Sequence, residues 1–454
     1  MQGLRHWLAH GFALVCVGLL VACGQGPAGN AAPLVPARES GPAGGGAGAR
    51  TAPSLQHSYA REVAQLGHAI DAAWRLMAGQ PDNAQLRLET FALHLERSRL
   101  RGGYEDTRLA QTLLDNVAKI PNTLPLTCLA QARLHLMLHR PGAASASLDS
   151  CGATLDAVEG AVLRADISFY EARYEQAQEG YRALVNQVGA PEHYVRLALF
   201  RSKTGAAGEA VALLEAAEKR TYGGSASSRA WFRLQRGMLA RERGRLDEAL
   251  ALYHLAAEEL PGWWLIDEQI AEVRRLSSDS AGAQALYQDI IARTGRPEHM
   301  DELARLLREG QTPEAADSWI RRAQALHLQQ VKSFADAATG HAAEHFLQFG
   351  TPAQALELAQ RNARARPYGD AQILLAGALY RAGRAGEAAQ LIDRVWASGW
   401  NTARLHAVAA QIHAGLGQRA QADTYRNRAL AMNPYALRMY LVPQPVQPEL
   451  VSLM

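Results

Sequence analysis

The feature that most constrains the fold of this chain is a spacing of 34 residues between matched small and aromatic positions. Ala249 and Tyr253 recur as Ala283 and Tyr287, and both pairs lie in segments with helical apolar spacing. A period of this length, filled by two amphipathic helices, is typical of helical repeats, in which no unit buries its apolar face without a neighbour. The sequence therefore predicts an open-ended stack of helix pairs.

The clearest unit covers residues 230–261. Its first helix has a small residue at Gly237, a turn follows at Gly244, and its second helix carries Ala249 and Tyr253 before a closing proline. Two antiparallel helices approach closely only where side chains are small. This layout resembles the tetratricopeptide repeat (TPR) family. The resemblance implies an all-α fold, a right-handed α-solenoid of about ten helix-turn-helix repeats over residues 55–440.

The alanine of the second helix marks one candidate position in each of ten units. These are Ala110, Ala146, Ala177, Ala210, Ala249, Ala283, Ala315, Ala355, Ala388 and Ala422. Six of them follow a glycine by five residues, and a short turn in the left-handed region favours glycine at that place. These glycines are Gly205, Gly244, Gly310, Gly350, Gly383 and Gly417. The alternative is a plain all-α bundle with alanine-rich helices.

Residues 1–22 have the features of an export signal. A basic residue, Arg5, precedes an apolar run at 12–21 that is too short to span a bilayer as a permanent helix. The run ends in Leu-Val-Ala-Cys-Gly at residues 20–24, which resembles the lipobox of bacterial lipoproteins. The resemblance implies cleavage before Cys23 and acylation of that cysteine. An ordinary export signal with a chance cysteine is the alternative.

The segment that follows, residues 23–54, is rich in Gly, Ala and Pro and poor in large apolar residues. Such a composition cannot bury enough surface to offset the entropy of ordering, so we expect a flexible tether. A coil of this length spans roughly 30 Å. Because Gly24 rather than an aspartate follows the cysteine, the lipoprotein resemblance implies an outer-membrane location facing the periplasm.

Cysteine placement indicates a covalent link within one helix pair. Cys128 lies near the start of one predicted helix and Cys151 near the end of the next, so an antiparallel pair brings them together. In an oxidising periplasm a disulfide between them is geometrically feasible. Two buried thiols are the alternative.

One short motif raises the question of metal chemistry. His341, Glu344 and His345 match the inverted zincin pattern His-x-x-Glu-His, in which two histidines one turn apart bind zinc and the glutamate acts as a base. A repeat helix also accounts for this pattern. We therefore expect no catalytic residue, no metal and no cofactor, and keep a zinc-dependent hydrolase or metal-binding protein as the alternative.

The remaining functional surface is the inner face of the solenoid. In the TPR family, ligand-binding residues come mostly from the first helix of each unit, and the matching positions here form a predicted partner-binding groove. They are Trp231, Leu234, Met238, Arg241, Glu268, Glu272, Arg275, Glu344, Tyr380, Arg404 and Gln411. Mixed charge with occasional aromatics suits peptide segments or partner helices.

The formal net charge of +3, with both signs interspersed, argues against a nucleic-acid partner. Three prolines beyond residue 441 predict an extended tail, residues 441–454, that could dock on a partner. The sequence thus predicts a membrane-tethered, noncatalytic scaffold or assembly factor in the bacterial cell envelope, which binds protein partners. A groove that binds glycan or peptidoglycan is a further alternative.

Overall fold

The computed structural model describes residues 58–121, 123–152, 155–221, 224–310, 313–440 and 442–444. Over these ranges the chain forms 22 helices, and the only extended pairing is one isolated bridge. The all-α repeat prediction is confirmed. Cys23, the export signal and the tether lie outside the described residues, as does the tail except residues 442–444. None of the described helices has the length and apolar character needed to cross a bilayer.

The helices follow one another as antiparallel pairs. They are α1 (Tyr59–Ala78), α2 (Ala84–Arg101), α3 (Tyr104–Val117), α4 (Leu124–Met137), α5 (Pro141–Ser150), α6 (Ala157–Tyr170), α7 (Tyr174–Gln187), α8 (Pro191–Lys203), α9 (Ala207–Arg220), α10 (Ala226–Glu242), α11 (Leu246–Glu259), α12 (Trp264–Leu276), α13 (Ser280–Thr294), α14 (Pro297–Glu309), α15 (Pro313–Ser333), α16 (Ala335–Phe349), α17 (Pro352–Ala365), α18 (Gly369–Arg381), α19 (Ala385–Ala397), α20 (Ala403–Gly415), α21 (Arg419–Met432) and α22 (Ala436–Met439). Ten hairpins result, numbered 1 (α2 and α3) to 10 (α20 and α21).

The alanine of each second helix lies in the contact between the two helices of its hairpin. Eight of the ten predicted alanines are buried, but Ala146 and Ala315 are exposed, and Ala144 and Ala316 take their place with no exposed surface. With these corrections the alanines are 33 or 34 residues apart except at two steps of 39. The longer steps contain α10, of 17 residues, and α15, of 21 residues.

Close approach of the two helices depends on small residues. A Cβ atom at Gly237 would lie 2.4 Å from the ring of Tyr253, so this ring packs against the bare backbone of α10. Tyr253 itself is fully buried, as is Ala249 one turn before it. The small residue in one helix and the aromatic residue in the other therefore fit together, as the repeat pattern predicts.

Turns within the hairpins share one backbone conformation. In seven of them the residue five positions before the buried alanine has a positive φ, between 60° and 82°. These residues are His139, Ala172, Gly205, Gly244, Ser278, Gly383 and Gly417. The prediction is wrong for Gly310 and Gly350, whose φ values are −91° and −98°. After Gly350 the chain enters α17 through an extended N-cap, Thr351, and a proline in the first turn, so no left-handed residue is needed.

Successive turns of the coil of hairpins contact one another. Hairpins six apart along the chain are in contact: the Asn401 amide donates to the Lys203 carbonyl over 2.8 Å, and the Gly369 amide donates to the Tyr174 hydroxyl over 2.8 Å. A cluster of aromatic rings fills this contact, which we call the seam. Its members are Phe169, Tyr170, Tyr174, Phe200, Tyr368 and Trp400.

Hairpin 2 carries the only disulfide within the described residues. Cys128 on α4 and Cys151 at the end of α5 are bonded, with their Cα atoms 5.4 Å apart. The link joins the open end of the hairpin, opposite the turn at residues 138–140. It therefore lies where the antiparallel geometry of the pair brings the two cysteines together.

Candidate partner-binding groove

A concave cavity of about 770 Å³ lies on the inner face of the coil, and we call it the groove. Its walls come mainly from the first helices of hairpins 4 to 10, that is, from α8, α10, α12, α14, α16, α18 and α20. The C-terminal residues Arg438, Met439, Tyr440 and Val442 close one side. First helices line the groove because the second helices of the hairpins pack on the outside of the coil.

The groove is rich in charge but has almost no net charge. Seven acidic and eight basic side chains line it. Five of the predicted groove residues are among them: Arg241, Glu268, Glu272, Glu344 and Arg404. The formal charges of the lining side chains therefore nearly cancel.

Glu272 is the centre of the charge network on one wall. Its carboxylate accepts two hydrogen bonds from Arg275, each 2.9 Å long, and lies 3.4 Å from Arg305 and 3.9 Å from Arg241. Burial alone would raise the pKa of Glu272, but the hydrogen bonds from Arg275 and the positive charges of Arg305 and Arg241 lower it to about 2. This carboxylate is therefore ionised at neutral pH, and its charge is compensated within the protein.

The groove has a second charge network that the sequence did not point to. The Lys203 ammonium lies 3.3 Å from Asp370 and 3.6 Å from Glu242. Burial would lower the pKa of Lys203, but the charges of Asp370 and Glu242 raise it. Lys203 ends α8, directly before a turn, and only the contact between hairpins 4 and 9, five apart along the chain, brings it to Asp370. No local pattern in the sequence marks that contact.

Four predicted groove residues are buried in the protein instead. Trp231, Leu234 and Met238 on α10 are 3, 0 and 4% exposed and belong to the main hydrophobic core. Burial in the core removes their apolar surface from water and so stabilises the fold, whereas in the open groove this surface would stay exposed. Arg275 is 2% exposed and lies behind Glu272, so it supports that carboxylate without lining the cavity.

Two predicted residues, Tyr380 and Gln411, hold the C-terminal segment of the chain. The Gln411 side chain accepts a 2.9 Å hydrogen bond from the Val442 amide and donates a 3.0 Å bond to the Tyr440 carbonyl. The Tyr380 hydroxyl donates to the Gln444 side chain over 2.9 Å. The first described residues of the predicted tail are thus in contact with the inner face of the coil.

Val442 anchors this segment by burial. Its side chain is 5% exposed and packs on α18 beside Gly377, where a Cβ atom would lie 3.5 Å from it. Tyr440 lies among Glu242, Lys203 and Arg404, and burial raises the pKa of its hydroxyl to about 12. The buried Val442 side chain, the Tyr440 ring and two main-chain hydrogen bonds to Gln411 therefore hold the C-terminal segment in place.

The His-x-x-Glu-His motif does not converge on one point. Glu344 faces the groove and pairs with Arg404 at 3.2 Å, whereas His345 is buried and its Nδ1 atom lies 2.7 Å from Asp301. His341 is half-buried. Because consecutive side chains of a helix point in different directions, Glu344 and His345 serve two different surfaces. Within the described residues the motif therefore does not form the zinc site of a hydrolase.

Comparisons with known proteins bear on the fold only. No protein-family model matches the chain, and no curated protein sequence is significantly similar to it. Solved structures that resemble it include a tetratricopeptide repeat protein from Parabacteroides merdae, with 15% identity, 55% of this chain and 98% of that chain covered, and a TM-score of 0.34.

Two further structures cover more of the chain. A human IFIT1 dimer with PPP-AAAA has 16% identity, covers 81% of this chain and 87% of that chain, and has a TM-score of 0.42. The APC/C hetero-tetramer Cut9-Hcn1 has 13% identity, 84% coverage of each chain and a TM-score of 0.40. No conclusion about partners follows from likenesses at this level.

Proposed function

We propose that this protein is a noncatalytic scaffold whose groove binds extended segments of partner proteins. The observation that carries the proposal is the contact of Gln411 with the C-terminal segment, because one amide side chain donates to the Tyr440 carbonyl and accepts from the Val442 amide. Contacts to the main chain are independent of sequence, and they are the usual source of affinity for an extended peptide. A partner segment would make the same contacts.

Specificity in this proposal comes from the charged walls. The ion pair between Glu344 and Arg404 is partly exposed, with side-chain exposures of 32 and 20%, so a ligand can reach both groups. Side chains that are already ion-paired contribute little to the affinity for a ligand, but they disfavour a ligand whose charges do not complement theirs. We therefore expect partner segments that carry both acidic and basic side chains around an apolar anchor.

We also propose that the scaffold is fastened to the outer membrane of a bacterial cell through lipid on Cys23. The support is the lipobox resemblance and the tether composition of residues 24–54. Several acyl chains together give stable anchoring, since each buried methylene contributes about 0.8 kcal/mol. Anchoring would raise the effective concentration of the groove near envelope partners.

The groove is tested with a labelled synthetic peptide that copies residues 440–454, added to a chain from which residues 440–454 are deleted. We expect saturable binding, weakened about tenfold by Gln411→Ala because two hydrogen bonds of about 0.5 to 1.5 kcal/mol each are lost. Gln421→Ala, on the exposed face of α21, is the matched control. Equal affinity for the Gln411→Ala variant would contradict the proposal.

Natural partners are tested by crosslinking in intact cells. We expect the double variant Glu344→Ala, Arg404→Ala to lose proteins that the unsubstituted chain captures. The exposed outer pair Arg384 and Glu387, replaced in the same way, should keep them. Retention on cell-wall material that neither variant changes, with no protein captured, would support a glycan-binding protein instead.

The anchor is tested by Cys23→Ala. We expect this variant to move from the membrane fraction to the soluble periplasmic fraction and to lose incorporation of a labelled fatty acid. Cys128→Ala, which opens the disulfide of hairpin 2, should leave the fatty-acid label in place. Membrane association that survives Cys23→Ala would overturn the lipid anchor while leaving the groove proposal intact.

A further inference from the structure

We propose that Asp301, His327 and His345 form a binding site for one divalent transition-metal ion, with zinc as the best-fitting candidate, which ties α14, α15 and α16 together. The inference is independent of the proposed function, because the three side chains lie outside the groove. None of the three lines the groove. Only His345 belongs to the sequence motif.

The three side chains already converge. His345 Nδ1 lies 2.7 Å from one oxygen of Asp301, and His327 Nε2 lies 2.8 Å from the other oxygen. One ligand atom from each residue falls within 4.8 Å of the other two, and the two imidazole rings are 5.0 Å apart. Among the described residues this is the one such group of three potential ligands.

The repeat pattern is altered at the place where this cluster forms. The second helix α15 has 21 residues, whereas the other second helices have 10 to 15. His327 is the fifteenth residue of α15, at the point where the other second helices end, and it lies between Asp301 of α14 and His345 of α16. The ligands therefore come from three consecutive helices, and an ion bound by them would crosslink two hairpins.

The chemistry of the donors suits a borderline metal. Two imidazoles and one carboxylate are the ligand set of many zinc and iron sites that keep an open position for water. Both histidine side chains are almost fully buried, at 1 and 0% exposure, whereas Asp301 is 16% exposed. Asp301 thus provides the side from which an ion and its water ligand can enter.

Hydrogen bonding outside the cluster leaves the imidazoles free to change tautomer. In the metal-free form each ring donates an N–H to Asp301, and an ion would replace these two protons. The protons would move to His327 Nδ1 and His345 Nε2, which are buried and have no hydrogen-bond partner in the described part of the chain. No other hydrogen bond competes for these two atoms. The exchange gives up the two hydrogen bonds to Asp301 and leaves two buried N–H groups without an acceptor, so the bonds between the ion and its ligands have to outweigh both losses.

The test is a titration of the metal-free, full-length chain with Zn²⁺, followed by calorimetry and by elemental analysis after gel filtration. We expect one tightly bound ion per chain and a thermal midpoint that rises by several degrees, since the ion binds only the folded state. His327→Gln and His345→Gln should each weaken binding by about 100-fold or more, because removing a ligand costs more than removing its supporting hydrogen bond.

Two sets of control variants distinguish this site from the sequence motif and from weak surface binding. Glu344→Gln and His341→Gln should leave affinity unchanged; if they abolish it, the sequence motif binds the ion and the proposed site is wrong. His254→Gln, on the exposed face of α11, controls for histidines that bind zinc weakly at the surface. Loss of affinity with this variant would likewise overturn the proposal.

A further measurement needs no substitution, which matters if a buried histidine variant fails to fold. Co²⁺ added to the unsubstituted chain should give the strong visible absorption of a four-coordinate ion with nitrogen ligands, and Zn²⁺ should displace it. Absence of saturable binding, or a spectrum like that of hydrated Co²⁺, would show that Asp301 only accepts hydrogen bonds from the two histidines.

Discussion

Three hairpins turn through residues that hold a left-handed backbone without being glycine. His139, Ala172 and Ser278 have φ values of 62°, 60° and 67°. For a residue with a Cβ atom this conformation costs about 1 to 2 kcal/mol, because Cβ approaches the following carbonyl oxygen. The rest of the hairpin fixes the turn, so these residues are held in a strained state at a position where other hairpins use glycine.

The first prediction exchanges the residue types at two such turns. Ala172→Gly should raise the free energy of unfolding by about 0.5 to 1 kcal/mol, the relieved strain minus the entropy of the added glycine. Gly383→Ala should lower it by a similar amount, and a Cβ there meets no atom within 4 Å, so strain alone acts. Urea unfolding measures both variants. Changes of the same sign would show that the turns are not the source of the strain.

Two buried histidines should make stability depend on pH. Burial lowers the pKa of His193 on α8 and of His406 on α20 to about 4, below the ordinary value of 6.5. Both are neutral in the folded state, so their contribution is complete above pH 6.5 and is lost as pH falls towards 4. The free energy of unfolding should therefore fall between pH 7 and pH 4.5. In the variant His193→Gln, His406→Gln the fall should be smaller, whereas His254→Gln should not change it.

Single residues also show the limit of sequence analysis. The sequence placed the contact alanine correctly in eight hairpins but took Ala146 for Ala144 and Ala315 for Ala316, because alanines are common in these segments and the helix face alone separates them. In the groove, Arg241 and Trp231 share one helix and both fit the family pattern. Only packing decides that the tryptophan enters the core and the arginine lines the cavity.

Each hairpin is a unit because its two helices meet at one close contact. In hairpin 5 this contact is formed by Ala249, Tyr253 and the bare backbone at Gly237. Such a contact follows from local sequence, which is why the helix pairs were predictable. The lengths of α10 and α15 were not predictable, since neither helix carries a start or stop pattern that distinguishes it from an ordinary repeat helix.

The prediction at this scale compares two neighbouring positions on α11. Ala249→Leu should destabilise the protein by about 1 to 3 kcal/mol, because the fully buried site has no room for a larger side chain. Glu248→Leu should change the free energy of unfolding little, since Glu248 is 39% exposed and pairs only with Arg245. Thermal melts compare the two. Equally mild effects would place the close contact elsewhere.

The whole molecule differs most from what the sequence predicts. Stacking of neighbours follows from the 34-residue period, but the curvature of the stack does not, because it accumulates from small rotations at each hairpin. Lys203 and Asp370 illustrate the consequence: they are distant in sequence and 3.3 Å apart in space. The seam, and the part of the groove that depends on it, could therefore not be predicted.

The prediction for the whole molecule concerns Trp400, which is fully buried in the seam. Trp400→Ala should destabilise the protein by about 3 to 5 kcal/mol and increase the radius of gyration measured by small-angle X-ray scattering. Trp396→Ala is the control, because Trp396 is 38% exposed and its ring contacts are with His406 and Tyr425 rather than with the seam. An unchanged radius together with a small loss of stability would mean that the seam does not hold successive turns of the coil together.

The bond between Asn401 and Lys203 has a mechanical consequence. An open superhelix can lengthen like a spring under load, each repeat yielding slightly. Here stretching the part of the coil from hairpin 4 to hairpin 10 also has to separate these two hairpins. That part should therefore resist extension more strongly than contacts between neighbouring hairpins alone would allow.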